Sequence, residues 1–308
     1  MLVWQAGGAI VAAGRGVIRK NSTPAITHKG ERMRIKIILA TALIIACFAA
    51  PLFAAETYVF GVHPYKNPAE LATIFKPLIS LLEAETGAKV SFRSAKDYEA
   101  FNQAVLKGEI DIFFMGPSIY AELSSLHPDK VRLVATALSK GKPTFKGVIV
   151  AKKDGPINSL ADLKGKKIAF GDRDSTLSCY IPAAMLMDAG VFDSVKYDFT
   201  GKHENVANSV LQGGHDAGGL KPDVAEKFMG QGLKVIAESA PVYEHVIGVG
   251  PKVDDATMKK IQAALINGKD PKVYTSIQKD YTGFAVTKPS DYASLFSIIK
   301  KVDAKMAK

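Results

Sequence analysis

Apolar residues are arranged with two different spacings along the chain after residue 54. Short runs of β-forming residues, such as Thr57–Val62, alternate with stretches in which apolar residues recur every three or four positions, as at Leu71, Ile74, Leu78 and Leu82. The first pattern is typical of strands and the second of amphipathic helices. Because the two alternate, we predict an α/β fold of mostly parallel sheets flanked by helices.

Two segments are candidates for connections between lobes. No repeat or Pro/Gly linker divides residues 55–308 into consecutive domains, but the basic stretch Ser139–Lys146 can lead out of one lobe and Ser239–Glu244 can lead back. We therefore predict a discontinuous first lobe, residues 55–142 and 243–308, and a second lobe, residues 143–242.

The first 54 residues differ from the rest of the chain. Met33–Lys36 is basic, Ile37–Ala46 is apolar and Leu52–Ala54 provides a small-residue exit. This order predicts a signal peptide over residues 33–54, with residues 1–32 an upstream extension outside the folded part. We expect the mature protein in the periplasm.

Two alternatives to cleavage after Ala54 remain open. The uncharged stretch Ile37–Ala55 approaches the length of a membrane span, and Cys47 follows a sequence that resembles a lipoprotein signal. Pro51 argues against the span, and the apolar residues after Cys47 argue against a lipid anchor there.

Charge and motifs exclude several classes of function. Of the net charge of +10, residues 1–54 carry seven basic residues and one acidic residue, so the remainder has 33 basic and 29 acidic residues. This mildly basic body has no Lys/Arg run, which argues against nucleic-acid binding. Motifs for phosphate loops, dinucleotides, metals and nucleophile elbows are absent from the sequence, so we predict no cofactor. Ser175 and His203 form a weak nucleophile and base pair without a third orienting residue, so we predict no enzyme.

The segment GDRDSTLSCY, residues 171–180, concentrates hydroxyl and thiol groups between a strand and a helix. The first N–H groups of a helix lack intrahelical acceptors, and serine and threonine hydroxyls add donors that can turn toward an anion. We predict an anion site that includes Ser175, Thr176, Ser178 and Cys179. Alternatively, Ser175 or Ser178 serves only as the helix N-cap.

Cys179 is the single cysteine after the predicted signal peptide, so the mature chain can form no internal disulfide. A helix N-terminus should lower the pKa of its thiol, and the thiolate would then hold a soft oxyanion such as arsenite. The alternative is a small buried side chain.

Four blocks resemble the phosphonate/phosphite/phosphate-type periplasmic substrate-binding proteins of ABC importers, over a span from Tyr58 to about Ala304. They are GVHPYKNP (61–68), GEIDIFFMGPSIY (108–120), SLADLKGKKIAFGDRDST (159–176) and TGKHENVANSVLQGGHDAG (200–218). The resemblance implies a two-lobed periplasmic binding protein with a ligand cleft between the lobes. It also implies a monomer that delivers a small oxyanion to an ABC permease in the inner membrane. The alternative is an oxyanion sensor, for example of arsenite through Cys179, that signals to a membrane histidine kinase.

The resemblance also implies roles for individual residues. Ser175 and Thr176 would hold the oxyanion, and His203 would approach it from a neighbouring loop. From the other lobe would come Tyr65, Ser118 or Tyr120, although the two tyrosines could instead be partly buried packing residues. Asp216 matches an acidic family position that would contact a ligand amine or surround the cleft; alternatively, it caps a turn. The chain departs from the family loop Ser-Thr-Ser-Gly, because Leu177 replaces a hydroxyl and Ser178 replaces glycine.

Overall fold

The computed structural model describes residues 56–307. The predicted signal peptide (33–54), the upstream extension (1–32) and Cys47 lie outside these residues. In the described part, the helices are all too short or too polar to cross a bilayer.

The strands of the described residues form two large sheets and one small ribbon. In chain order they are β1 (Thr57–Val62), β2 (Lys89–Ser94), β3 (Ile112–Met115), β4 (Arg132–Ser139), β5 (Thr144–Phe145), β6 (Val148–Lys152), β7 (Lys167–Phe170), β8 (Lys196–Phe199), β9 (Ala217–Leu220), β10 (Leu233–Glu238), β11 (Val242–Tyr243), β12 (Val246–Val249) and β13 (Tyr281–Ala285).

The helices cover these sheets. In chain order they are α1 (Pro68–Thr86), α2 (Tyr98–Leu106), α3 (Pro117–Leu126), α4 (Ile181–Asp188), α5 (His203–Gln212), α6 (Pro222–Met229), α7 (Asp255–Asn267), α8 (Lys272–Thr275) and α9 (Ala293–Met306). Short 3₁₀ turns occur at Ala161–Leu163, Phe192–Ser194 and Pro289–Tyr292.

Each large sheet is mixed rather than mostly parallel, and each contains a strand that arrives from the other sheet's part of the chain. The first sheet has the order β13-β4-β12-β3-β1-β2, and the second has the order β10-β6-β9-β7-β8. Strands β1, β2 and β3 are parallel, and β12 lies antiparallel between β3 and β4. Likewise, β7, β8 and β9 are parallel, and β6 lies antiparallel between β9 and β10. The strand that arrives from the other part of the chain, β12 in the first sheet and β6 in the second, therefore runs antiparallel to both of its neighbours.

The two predicted connections pair with each other. Strand β5 lies within the segment 139–146 and β11 within the segment 239–244, and they form an antiparallel ribbon in which Val242 pairs with Phe145. The boundaries at 142/143 and 242/243 remain predictions that fall beside this ribbon.

Helix α1 illustrates how local sequence determines an element. The Asn67 side chain accepts the Glu70 N–H at 2.9 Å, which caps the first turn. Gly87 ends the helix with φ of 73°, in the left-handed region where glycine has no steric penalty. Leu71, Leu78 and Leu82 are fully buried against the first sheet, as their spacing predicts.

Two elements differ from the prediction. From the sequence we predict one helix over residues 271–280, but the structure is helical only over Lys272–Thr275, and strand β13 follows this segment. Helix α3 was not predicted, because its start at Gly116–Pro117 has no polar N-cap and its first residues are apolar. The helix starts there because Pro117 occupies the first turn, where a missing N–H costs nothing.

Candidate functional site

A tight, buried cavity of about 20 Å³ lies where loops from the two large sheets meet. One side, here called the first wall, comes from elements of the first sheet: His63, Tyr65, Tyr98, Gly116, Ser118 and His245. The opposite side, the second wall, comes from elements of the second sheet: Ser175, Thr176, Leu177, His203 and Lys221. Five of the nine residues predicted for the site therefore line one cavity, namely Tyr65, Ser118, Ser175, Thr176 and His203.

The second wall is built around the start of the helix that follows β7. Ser175 caps this helix, since its Oγ accepts the Ser178 N–H at 3.2 Å. The first turn is a wide π-type turn in which the Ser175 carbonyl accepts the N–H groups of both Cys179 and Tyr180 at 3.0 Å. The N–H groups of Thr176 and Leu177 precede any possible intrahelical acceptor, so the positive end of the helix dipole lies at the cavity.

Ser178 fastens this turn to the sheet. Pro182 has no N–H to offer the Ser178 carbonyl, which instead accepts the Gly171 N–H at 3.1 Å. The Ser178 hydroxyl is fully buried and donates to the Gly219 carbonyl. The structure therefore places Ser178 behind the cavity, where its hydroxyl holds the turn against β9.

The hydroxyl of Thr176 on the second wall forms hydrogen bonds with Ser118 on the first wall. Its Oγ1 accepts the Ser118 N–H at 2.9 Å. Since Ser118 Oγ donates its own proton to the Asp174 carbonyl at 2.6 Å, the 2.7 Å contact between the two hydroxyls has Thr176 as its donor. Thr176 can therefore offer a ligand its backbone N–H, whereas its hydroxyl joins the second wall to the first.

His203 presents a proton to the cavity. Its Nδ1 accepts the Lys221 N–H at 3.1 Å, so the ring proton of the neutral imidazole lies on Nε2. Nε2 is 3.4 Å from Ser175 Oγ. Burial and the charge of Lys221 lower the pKa of His203 to about 4, so the ring is neutral at pH 7.

Lys221 supplies the charge of the second wall, and sequence reasoning missed it. The residue is only 6% exposed, and its Nζ lies over the rings of Tyr65 at 5.6 Å and Tyr281 at 5.7 Å. Within residues 56–307, Nζ has no hydrogen-bond or ion-pair partner. The sequence did contain a signal for it, since Lys221 follows the buried strand β9 directly and is the N-cap residue of the next helix. Because β9 lies parallel to β7, it ends at the same sheet edge as Ser175.

The first wall carries two stacked histidines, with ring centroids 5.3 Å apart. The Nδ1 atom of His63 is 3.3 Å from the Phe114 carbonyl, and that of His245 is 2.6 Å from Oε2 of Glu244. Glu244 is fully buried and also accepts the Tyr281 hydroxyl at 2.9 Å. Although burial raises the pKa of Glu244, the hydrogen bonds from His245 and the charge of Lys221 bring it below its ordinary value. Sequence reasoning missed both histidines, although His63 lies within the block GVHPYKNP (61–68).

Cys179 does not reach the cavity, which corrects the prediction of a reactive thiolate. The side chain is fully buried in the core, with Arg173 Nη1 3.8 Å from its Sγ. Burial raises the pKa of the Cys179 thiol to about 12. The helix dipole has its effect near the axis of the first turn, whereas this side chain points into apolar packing where a thiolate would be poorly solvated.

Tyr120 and Asp216 also lie away from the cavity. Tyr120 packs edge-on against Tyr292 and borders a groove of about 590 Å³. This groove is open and lacks the anion turn, so its size does not make it the better candidate. Asp216 precedes β9 at the end remote from Lys221, and its Oδ2 accepts the Lys167 N–H at 2.8 Å.

Comparison with known families agrees with this geometry. Residues 60–292 match the family described as "ABC transporter, phosphonate, periplasmic substrate-binding protein". The chain belongs to this family. Over 186 residues it is 30% identical to the phosphate-import protein PhnD of Mycolicibacterium smegmatis, an alignment that covers 56% of this chain and 58% of that protein. Over 228 residues it is 26% identical to the phosphonates-binding periplasmic protein of Escherichia coli, which covers 69% of this chain and 67% of that protein.

A solved structure places the family member among two-lobed periplasmic binding proteins. PhnD1 from Prochlorococcus marinus, determined in complex with methylphosphonate, superposes with a TM-score of 0.73 at 19% identity. The superposition covers 80% of this chain and 98% of that chain. At this identity the likeness establishes the fold, and the ligand of this chain has to be argued from its own cavity.

The departures from the family loop have structural explanations. Leu177, where the resemblance leads us to expect a hydroxyl, is 3% exposed and adds an apolar surface to the second wall. Ser178, where we expect glycine, points away from the cavity and bonds to Gly219. Both substitutions leave the N–H groups at the start of the helix facing the cavity.

Proposed function

We propose that this protein captures a small oxyanion of the phosphonate, phosphite or phosphate class between the two walls. The observation that carries the proposal is Lys221, a largely buried cation at the cavity whose Nζ makes no direct hydrogen bond or ion pair among residues 56–307. The Glu244 and Asp223 carboxylates lie near enough for its charge to lower their pKa values but do not contact it. Burying an unpaired charge is costly, and a bound anion would offset that cost. The Nε2–H of His203, the Ser175 hydroxyl and the helix N–H groups would supply the hydrogen bonds of the anion.

We further propose that closure of the lobes completes the site. The Thr176–Ser118 contact joins the walls, and Lys221 reaches across to Tyr65 and Tyr281. The ribbon of β5 and β11 lies at the predicted lobe boundaries and is the candidate hinge. A closed, ligand-loaded form would then be recognised by an ABC permease in the inner membrane. In this proposal the protein acts in the periplasm as a monomer.

The geometry supports binding without catalysis. His203 Nε2 carries a proton toward Ser175 Oγ, so this nitrogen has no lone pair to remove the serine proton. A serine nucleophile needs a base in the opposite state. The arsenite-sensor alternative depended on Cys179, which lies outside the cavity, and no observation favours it.

Calorimetric and thermal-shift titrations of residues 55–308 test the proposal with phosphate, phosphite and methylphosphonate. A ligand at a hundred times its dissociation constant should stabilise the fold by about 2.7 kcal/mol. At least one of the three should do so, and Ser175→Ala should weaken that ligand. If none of them binds, the proposal is wrong.

A further inference from the structure

Three histidines line the cavity, and the partner of each Nδ1 atom fixes where the ring proton lies. A backbone N–H donates to Nδ1 of His203, which places the proton on Nε2. A carbonyl oxygen faces Nδ1 of His63, and the Glu244 carboxylate faces Nδ1 of His245. Because those oxygens can only accept, both rings carry the proton on Nδ1 and a lone pair on Nε2.

The two Nε2 lone pairs belong to the first wall and have no partner among residues 56–307. A Cβ added to Gly116 would lie 3.8 Å from His63 Nε2 and 3.6 Å from Thr176 Oγ1, so glycine keeps this nitrogen accessible beside the anion turn. Burial and the neighbouring His245 hold the pKa of His63 well below its usual range, so it stays neutral. The first wall therefore accepts hydrogen bonds where the second wall donates them.

The charges around the cavity disfavour a doubly charged ligand. The charged or titratable groups that face the histidines are His203, Lys221, Glu244 and Asp223. Three phenols, Tyr65, Tyr98 and Tyr281, have pKa values raised by burial and remain protonated. Lys221 is thus the single cation in this group, whereas Glu244 and Asp223 are carboxylates whose pKa values are lowered. A monoanion adds less repulsion to this group than a dianion would.

We propose that the oxyanion binds as its protonated monoanion, with its O–H donating to Nε2 of His63 or His245. Its ionised oxygens accept from Ser175, His203 and Lys221 on the second wall. This inference rests on the proposed function and adds a criterion for the substrate: a tetrahedral anion that keeps an acidic proton. Phosphonates, phosphite and phosphate have such a form near neutral pH, whereas sulfonates do not.

Methanesulfonate is the discriminating probe, because it matches the methylphosphonate monoanion in shape and charge but has no O–H. In its complex, an anionic oxygen would face the lone pairs of the first wall. A site built to pair with a ligand hydroxyl rejects an analogue without it by orders of magnitude. At pH 6, we expect calorimetry on residues 55–308 to give methanesulfonate a dissociation constant at least about 100-fold larger.

The pH dependence provides an independent readout. Above its second pKa, the affinity of methylphosphonate should fall about tenfold per pH unit, since the bound form becomes scarce. In that pH range, calorimetric titration in buffers of different ionisation enthalpy should show that binding takes up one proton. His63→Phe should weaken methylphosphonate and bind methanesulfonate no less tightly, because the lone pair that repels its oxygen is gone. His63→Gln, which can present an oxygen, should restore part of the preference.

The outcomes separate the two proposals. Equal affinity for methylphosphonate and methanesulfonate, or a methylphosphonate affinity that is level across its second pKa, would overturn the protonated-ligand inference and leave oxyanion capture standing. Failure of every oxyanion to bind at any pH would overturn both.

Discussion

The two walls of the cavity reach their hydrogen-bonding character by different routes. The second wall donates because of its backbone: a helix begins there, and its first N–H groups, its capping Ser175 and Lys221 at the next helix start all lie at one sheet edge. The first wall accepts because of its neighbours: a carbonyl and the Glu244 carboxylate decide which nitrogen of each histidine is free. The helix start of the second wall can thus be read from local sequence, whereas the acceptor state of His63 depends on a carbonyl 51 residues away.

Removing the charge of the second wall should have the largest effect. Lys221→Met keeps the length of the side chain and removes the cation, so oxyanion affinity should fall at least about 30-fold, as for loss of one partner of a buried charge pair. Titration calorimetry measures it. Lys227→Met is the matched control on the same helix, where the exposed Lys227 only approaches Glu204 at 4.0 Å. Equal oxyanion affinity of the Lys221 variant and the control would show that the Lys221 charge does not contribute to binding.

Protonation of His203 should make the free energy of unfolding depend on pH. Its folded pKa of about 4 is below the unfolded value of 6.5, so the unfolded chain binds more protons between these pH values. The free energy of unfolding should therefore fall as pH drops from about 6.5 to about 4, with about 3 kcal/mol from this residue. Urea unfolding at several pH values measures the slope.

His203→Asn, whose Oδ1 can replace Nδ1 as acceptor for Lys221, should flatten that slope. The exposed His127 is the control, and His127→Asn should leave it unchanged. An unchanged slope in the His203 variant would contradict the assigned tautomer and burial.

Two serines three residues apart separate binding from folding within the second wall. Ser175→Ala removes a cavity donor and should cost about tenfold in affinity, with about 1 kcal/mol of stability lost with the cap. Ser178→Ala leaves the buried Gly219 carbonyl unpaired and should cost about 1–3 kcal/mol of stability with little change in affinity. Parallel calorimetry and urea unfolding measure both. The reverse pattern would mean that the turn is oriented differently from the structure.

Cys179 should have almost no effect on binding. A buried thiol with a pKa of about 12 is protonated at pH 8, so a thiol reagent should react with the folded protein far more slowly than with the unfolded chain. Cys179→Ala should bind oxyanions as tightly as the wild type. Rapid labelling of the native protein, or loss of arsenite binding in the variant, would restore the sensor interpretation.

Much of the second wall could be predicted from sequence. Ser175 and the helix start followed from a polar turn between a strand and a Pro-containing helix, because those signals are local. Thr176 lines the cavity, but its role as a ligand donor stays a prediction, and the hydrogen bond of its hydroxyl with Ser118 depends on a partner 58 residues away. Cys179 was misjudged because the direction of a side chain in a wide first turn, toward core or cavity, is decided by packing.

The first wall was largely beyond sequence reasoning. His63 and His245 are 182 residues apart in sequence, and their stacking results from strands β1, β3 and β12 lying side by side in the first sheet. The order of strands, with β12 inserted between β3 and β4, could not be derived from alternating spacing alone. The local pattern identified the strands, and only the sheet order brought the acceptor histidines together.

A crystal structure of residues 55–308 with methylphosphonate would test the central claim most directly. The account predicts phosphorus between the two walls, with ligand oxygens within about 3 Å of Ser175 Oγ, His203 Nε2 and Lys221 Nζ. It also predicts one oxygen facing Nε2 of His63 or His245. Phosphonate bound elsewhere, for example in the groove beside Tyr120, with this cavity unoccupied, would contradict the account.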